Sequence, residues 1–206
     1  CISSQAGCQM GCSFCQTASH GFHGQLSHQE IVSQLAGLPE CGRVTHIVVM
    51  GMGEPFNNLD AVLKALDVFA APWGFAIGKR NITVSTVGFP EQLERFVLYS
   101  PYNLAVSLHS PFSIQRQELM PVEKISPIES VVTLLRQYPI LKPRRLSFEY
   151  LLLSGVNNTQ QHAVAVAGML KGLRCHVNLI PFNWFPGSSY KPPSDAEVQL
   201  FRDQLA

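Results

Sequence analysis

Cys8-Gln9-Met10-Gly11-Cys12-Ser13-Phe14-Cys15 sets three thiols at C-x3-C-x2-C spacing near the start of the chain. A pair at x2 spacing suits almost any metal loop, whereas the x3-then-x2 triplet is less common. Three thiolates can hold three irons of a 4Fe–4S cube, whose usual complement is four cysteines. The fourth iron is then open, as a catalytic metal site keeps an open position. An open iron can chelate a small amino-acid head group. Completed by Cys1, or by His20 and His23, the triplet would instead make a structural zinc site. Three free thiols in a reducing compartment are the remaining reading.

Outward from this loop the chain alternates. Residues 1–5 read as a short strand feeding the loop. Ser27 and Glu30 form a capping-box pattern ahead of Ile31, Leu35 and Leu38. Short apolar runs predict strands at 47–50, 82–85, 104–108, 146–153 and 176–180. Between them, Leu59, Val62, Leu63, Leu66 and Phe69 recur at helical spacing behind an Asn57 or Asn58 cap. Pro90 opens a helix, Ser126 to Glu129 start another, Asn158 and Gln161 cap a third, and Ser194 with Glu197 cap the last. About six βα units predict an α/β fold with a mostly parallel sheet covered by helices. That is two units short of a full (β/α)8 barrel, hence a partial (β/α)6 TIM-like barrel in one domain spanning 1–206.

Composition agrees with a globular chain: 206 residues, 46% hydrophobic and 14% charged, net charge +1. This charge gives no argument for nucleic acid, and the small basic clusters at Lys79-Arg80 and Lys142 to Arg145 read as solvated surface. No apolar run approaches the length of a membrane span, so no membrane partner is expected. No signal peptide is visible. Six cysteines without regular disulfide spacing fit a cytoplasmic protein. Cys41 and Cys175 read as ordinary thiols.

In parallel sheets, ligands bind at the carboxyl ends of the strands. Gly51, Gly53 and Glu54 stand there after the second predicted strand, Ser85 and Thr86 after the third, and Ser107-Leu108-His109-Ser110 after the fourth. Glu149 lies within the fifth strand, and Asn178 with Asn183 belong to the sixth. Ser and Asn often simply begin loops. A polar residue at every strand end, on the rim shared with the cysteine loop, favours one ligand pocket. At Gly51 and Gly53 the missing Cβ lets backbone groups approach a ligand.

With Phe14 before the last cysteine, the triplet resembles the signature of the radical-SAM enzymes, which use a 4Fe–4S cluster and S-adenosylmethionine (SAM). The Gly53-Glu54-Pro55 turn resembles the motif by which they bind the amino group of SAM. The resemblance implies Cys8, Cys12 and Cys15 as cluster ligands. It implies Gly53, Glu54, Ser85, Ser107, Leu108, His109 and Asn183 as SAM contacts.

Further stretches narrow it. Cys1 to Cys8, Val49 to Pro55, Val84 to Gly88, Ala105 to His109, Glu118 to Pro121, Phe148 to Tyr150 and Asn178 to Pro181 are similar to the RlmN/Cfr family of RNA methyltransferases. The match covers the whole chain in order. It implies transfer of a methyl group to C2 of adenine in large-subunit (23S) rRNA and tRNA. In that family one SAM methylates a cysteine near the carboxyl end, and a second SAM gives the radical that activates the methylcysteine. Cys1 matches the catalytic cysteine that releases the RNA adduct. An electron donor such as flavodoxin and a monomeric enzyme are implied too.

The family's methyl-carrying cysteine, its glutamate base and its amino-terminal RNA-binding domain match nothing between Cys1 and Ala206. The expectation is therefore a core fragment that does not methylate RNA alone. Gly24-Gln25 also stand where many members carry Arg-Asn. The alternatives are another radical-SAM enzyme, such as a glycyl-radical activase, or a non-enzymatic Fe–S or zinc module.

Overall fold

In the computed structural model, which describes residues 1–205, five strands form one parallel sheet in chain order. They are β3 (Ile47–Val49), β4 (Ile82–Thr86), β5 (Asn103–Ser107), β6 (Leu146–Leu152) and β7 (His176–Pro181). They pair in register from Val49 opposite Val84 to Glu149 opposite Asn178. Helices α2 (His28–Ala36), α3 (Leu59–Ala70), α4 (Pro90–Tyr99), α6 (Ile128–Gln137), α7 (Gln160–Leu170) and α8 (Asp195–Leu205) fill the intervals. The sheet stays open and curls as a half-barrel, the partial barrel that the alternation of elements predicts.

Strand alternation divides the two faces. Ile82, Val84 and Thr86 of β4 are buried, while Thr83 and Ser85 between them are half-exposed. The apolar face meets the helices in one core. In α6, for example, Ile128, Val131, Val132 and Leu135 are all at most 2% exposed, each contributing about 1.5–3 kcal/mol. The opposite, concave face carries the polar set Thr83, Ser147, Glu149, His176 and Asn178, which lines a second cavity beneath the rim.

The structure corrects the first predicted strand. The β1 strand is Gln5–Gly7, and it pairs antiparallel with β2 (Phe22–Gln25) in a separate hairpin. Residues 1–4 lie against the edge of β3 through scattered bonds, Ile2 N–H to Val48 O (2.9 Å) and Ser4 N–H to Met52 O (2.9 Å). This edge runs so close to Gly51 and Gly53 that neither position has room for a side chain. A Cβ on Gly51 would sit 2.5 Å from Ser3 Oγ, and one on Gly53 2.5 Å from Gln5 Cβ. The cysteine loop thus hangs from a hairpin, closed by Cys8 N–H to Gly21 O (3.0 Å), with the one-turn helix α1 (Gln16–Ser19) inside it.

The capping boxes at Ser27/Glu30 and Ser194/Glu197 both form. Asn58 precedes α3 but caps nothing; its Nδ2 donates to Ser4 O and Leu26 O, clamping the hairpin. Thr159, rather than Asn158, stands at the start of α7. Leu38 is 46% exposed because α2 ends at Ala36. A further helix, α5 (Ser113–Leu119), has no counterpart in the predicted elements. Among the described residues no helix is long and apolar enough to cross a membrane.

Candidate active site at the carboxyl ends of the strands

A cavity of about 470 Å³ opens at the carboxyl rim of the sheet. Cys8, Cys12 and Cys15 line it together with Gly53, Glu54, Ser85, Ser107, His109, Glu149 and Asn183. Gly51 and Thr86 line it too, so twelve of the residues singled out from sequence share one space. Leu108 does not join them: its side chain is fully buried in the core, its N–H donates to Glu149 O and its carbonyl accepts from Arg116 Nε (2.9 Å). Cys1 is exposed and outside the lining.

The cysteine loop is anchored by a second, smaller apolar cluster at the rim. Met10, Cys12 and Phe14 pack there against Val87, Leu119, Met120, Leu153 and Phe182. Ser13 N–H donates to Leu119 O (2.9 Å), and its hydroxyl meets Tyr190 Oη (2.7 Å). Burial pushes the Cys12 thiol up to about 12, with the neighbouring Cys15 and Cys8 thiolates adding to the effect. Burial likewise raises Cys8. Holding three thiolates together here calls for compensating positive charge, which bound metal ions would supply.

Glu54 is 3% exposed at the turn after β3. Its Oε1 accepts from Thr86 Oγ1 (2.5 Å) and Phe56 N–H (3.0 Å), and its Oε2 from Val87 N–H (3.0 Å). Burial still prevails over these bonds and pushes its pKa up to about 7. A carboxylate so placed, with lone-pair capacity left, is a receptor for a cationic group such as an ammonium. Gln5 fixes the turn from the hairpin side, accepting from Glu54 N–H (2.8 Å) and donating to Gln25 Oε1 (2.9 Å).

His109 sits just past β5 with φ +58, an unusual conformation for a non-glycine residue. Its Nδ1 accepts from Leu151 N–H (3.0 Å), so the neutral ring carries its proton on Nε2. Burial, aided by the Arg116 charge, pulls the ring down to about 3 and keeps it neutral. Phe14 meets it edge-on with centroids 4.9 Å apart, joining the cysteine loop to β5. Asn157, fully buried, holds the strained bend: its Nδ2 donates to His109 O and Leu151 O (both 2.7 Å), and its Oδ1 accepts from Leu153 N–H (2.8 Å).

Sequence reasoning missed Asn157 and Arg116. Arg116 of α5 is fully buried and ion-paired with Glu123. Its guanidinium donates to Leu108 O (2.9 Å), Ser107 O (2.8 Å) and Val87 O (3.4 Å), tying two strand ends together. A lone arginine in an unrecognised short helix carries no signal of that role. Glu149 was flagged only by position; it accepts from Ser147 Oγ (2.9 Å) and Asn178 Nδ2 (2.7 Å).

The family model described as "Radical SAM superfamily" matches residues 2–165. The chain belongs to the radical SAM superfamily. Among curated radical SAM relatives, it is 46% identical over its whole length to a probable dual-specificity RNA methyltransferase RlmN of Bacteroides fragilis. It is also 46% identical to the RlmN of Syntrophobacter fumaroxidans. It spans about 60% of the length of these relatives. A crystal structure of a radical SAM methyltransferase from Sphaerobacter thermophilus superposes with TM-score 0.94 at 38% identity, over all of this chain and 62% of that one. Streptococcus suis SuiB bound to S-adenosylmethionine, at 14% identity and TM-score 0.71, shares the fold. Membership implies a 4Fe–4S cluster and SAM.

Proposed function

We propose that this chain is the catalytic core of an RNA methyltransferase that moves a methyl group from SAM to C2 of adenine in 23S rRNA and tRNA. The observation that carries this is the convergence of Cys8, Cys12 and Cys15 with Glu54 and His109 on one cavity. The likeness to RlmN proteins along the full chain supports the choice of RNA. Adenine C2 is not a nucleophile, and the bound cluster supplies the one-electron chemistry that such a carbon requires.

The chain's own residues do the positioning. Cys8, Cys12 and Cys15 hold three irons. Glu54 receives the SAM ammonium, with Gly53 letting the ligand approach the backbone. His109 offers a fixed Nε2–H donor, while Ser85, Ser107 and Asn183 bond the remaining polar groups. The apolar rim around Phe14, Phe182 and Phe185 keeps water from the reacting centre. Cys1 is the exposed thiol that releases the RNA adduct. A small flavoprotein donates the electron to a cytoplasmic, monomeric enzyme.

The test is anaerobic reconstitution with iron and sulfide, followed by visible absorbance and EPR with and without SAM. A cluster spectrum whose EPR signal changes on adding SAM is expected. A colourless protein holding stoichiometric zinc refutes the reading. Deoxyadenosine production that ignores RNA favours a different radical SAM reaction.

A further inference from the structure

The parallel sheet gathers the loops that enter its strands onto one rim, opposite the cavity. Lys79 and Arg80 precede β4, and Lys142, Arg144 and Arg145 precede β6. Arg43 precedes β3, while Lys171 and Arg174 precede β7. These entry loops hold eight of the fifteen Lys and Arg but only Glu40 of the fourteen Asp and Glu. Seven basic and thirteen acidic residues remain for everything else, so a chain of net charge +1 is strongly polarised. The segments leaving the strands carry three of each sign, with Glu54, Glu118 and Glu123 against Arg116, Lys124 and Lys191.

The Asn103 side chain ties two of these loops together. Asn103 at the start of β5 donates to Arg80 O (2.8 Å) and accepts from Arg145 N–H (2.9 Å). Basic residues near helix ends often serve them; Arg144 of the β6 entry loop does so, as does Arg136 from the last turn of α6. Arg144 donates to Val97 O and Ser100 O, and Arg136 to Met169 O. The side chains of Arg43, Lys79, Arg80, Lys142, Lys171 and Arg174 are exposed and make no hydrogen bond or ion pair among the described residues. Large apolar groups stand on the same rim: Trp73 is 78% exposed, Tyr99 81% and Leu141 68%.

We propose that this rear rim is a second RNA-binding surface, holding the phosphate backbone of the substrate away from the reacting adenine. The choice of polyanion rests on the RNA methyltransferase reading. Free cations and exposed aromatic faces on one rim suit phosphates and unstacked bases. An acidic electron donor fits less well. The strands place this rim roughly 15–20 Å or more from the cysteine loop, and electron transfer weakens steeply with distance. The near-neutral front rim cannot recruit a polyanion by charge, whereas the rear rim can.

The test uses cluster-loaded protein and fluorescein-labelled unmodified tRNA, with anisotropy followed across a KCl series. In R80Q/K142Q/R174Q, RNA affinity at low salt is expected to fall about tenfold or more, and the salt slope to shrink by roughly 2. In W73A/Y99A a severalfold loss with an unchanged slope is expected, because stacking is uncharged. SAM binding and the cluster absorbance stay as in the parent. Unchanged RNA affinity and slope in the triple variant overturn the surface and leave the methyltransferase reading standing. A parent that binds no RNA, or a rim that selects an acidic flavoprotein over RNA, also overturns it. A parent without cluster or SAM binding refutes the function instead, and the RNA titration still decides the rim.

Discussion

Glu54 shows how a single residue couples burial to binding. Its folded pKa, about 7, lies above the ordinary value of 4.5. Between those values the folded chain keeps a proton that the unfolded chain has released, so the contribution of Glu54 to stability falls as pH rises through the window. Above pH 7 the cost is on the order of 3 kcal/mol. Denaturant titrations of the cluster-free protein are expected to show this slope, and Glu54→Gln to flatten it. An ammonium ligand favours the ionised carboxylate, so SAM should bind the loaded protein more tightly at pH 8 than at pH 6, and Glu54→Gln should weaken binding at least tenfold. Glu54 was legible in sequence because a Gly-Glu-Pro turn after a strand is local. Its partners Thr86 and Val87, a whole βα unit away, were not legible as such. Asn157 is similar: its three bonds to β5 and β6 exist only after both strands are placed. Asn157→Ala strands those groups, and a loss of about 2–3 kcal/mol in chemical denaturation is expected.

Between elements, the glycines after β3 and the arginine of α5 set the rim. Gly53 has φ +100, and a methyl group there would collide with Gln5. Gly53→Ala should cost about 1–3 kcal/mol and pull the hairpin from the turn, lowering cluster occupancy in reconstitution. Arg116→Met leaves Glu123 buried and unpaired, and roughly 3–5 kcal/mol should be lost. The double variant Arg116→Met/Glu123→Leu should regain most of that stability. It still lacks the donors to Ser107 O, Leu108 O and Val87 O, so weakened SAM binding in a stable protein is the expected outcome. Normal SAM affinity in that variant would show the pair to be structural only. The long helices were legible because apolar spacing and caps are local signals, as with Pro90 and the Ser27/Glu30 box. The β1–β2 hairpin and α5 were not. Gln5–Gly7 and Phe22–Gln25 lack an apolar alternation and take their structure from each other, and α5 buries a charged residue where an apolar one would signal a helix face.

At the scale of the molecule, the main core excludes the three rim cysteines: all three line the cavity, and Cys12 packs on the smaller cluster. Chelator treatment should therefore bleach the cluster while far-UV circular dichroism and cooperative unfolding persist. Limited proteolysis should then cut first within residues 8–21. Loss of the α/β signal on metal removal would show that the cluster organises the fold.

The sequence by itself determined the parallel α/β architecture, the cysteine triplet and most of the polar strand ends. Each of these is written in spacing along the chain: helical and strand periodicity, x3 and x2 gaps, a turn motif. Tertiary structure alone decided which of those residues share a space. It removed Leu108 from the cavity lining, because one step along a strand turns a side chain to the other face. It supplied Arg116 and Asn157, whose work is to bond carbonyls distant in sequence. It also joined Lys79-Arg80 and Lys142 to Arg145, unremarkable as separate clusters, into one charged rim. A parallel sheet brings every entry loop to the same end, and no local window of sequence records that sum.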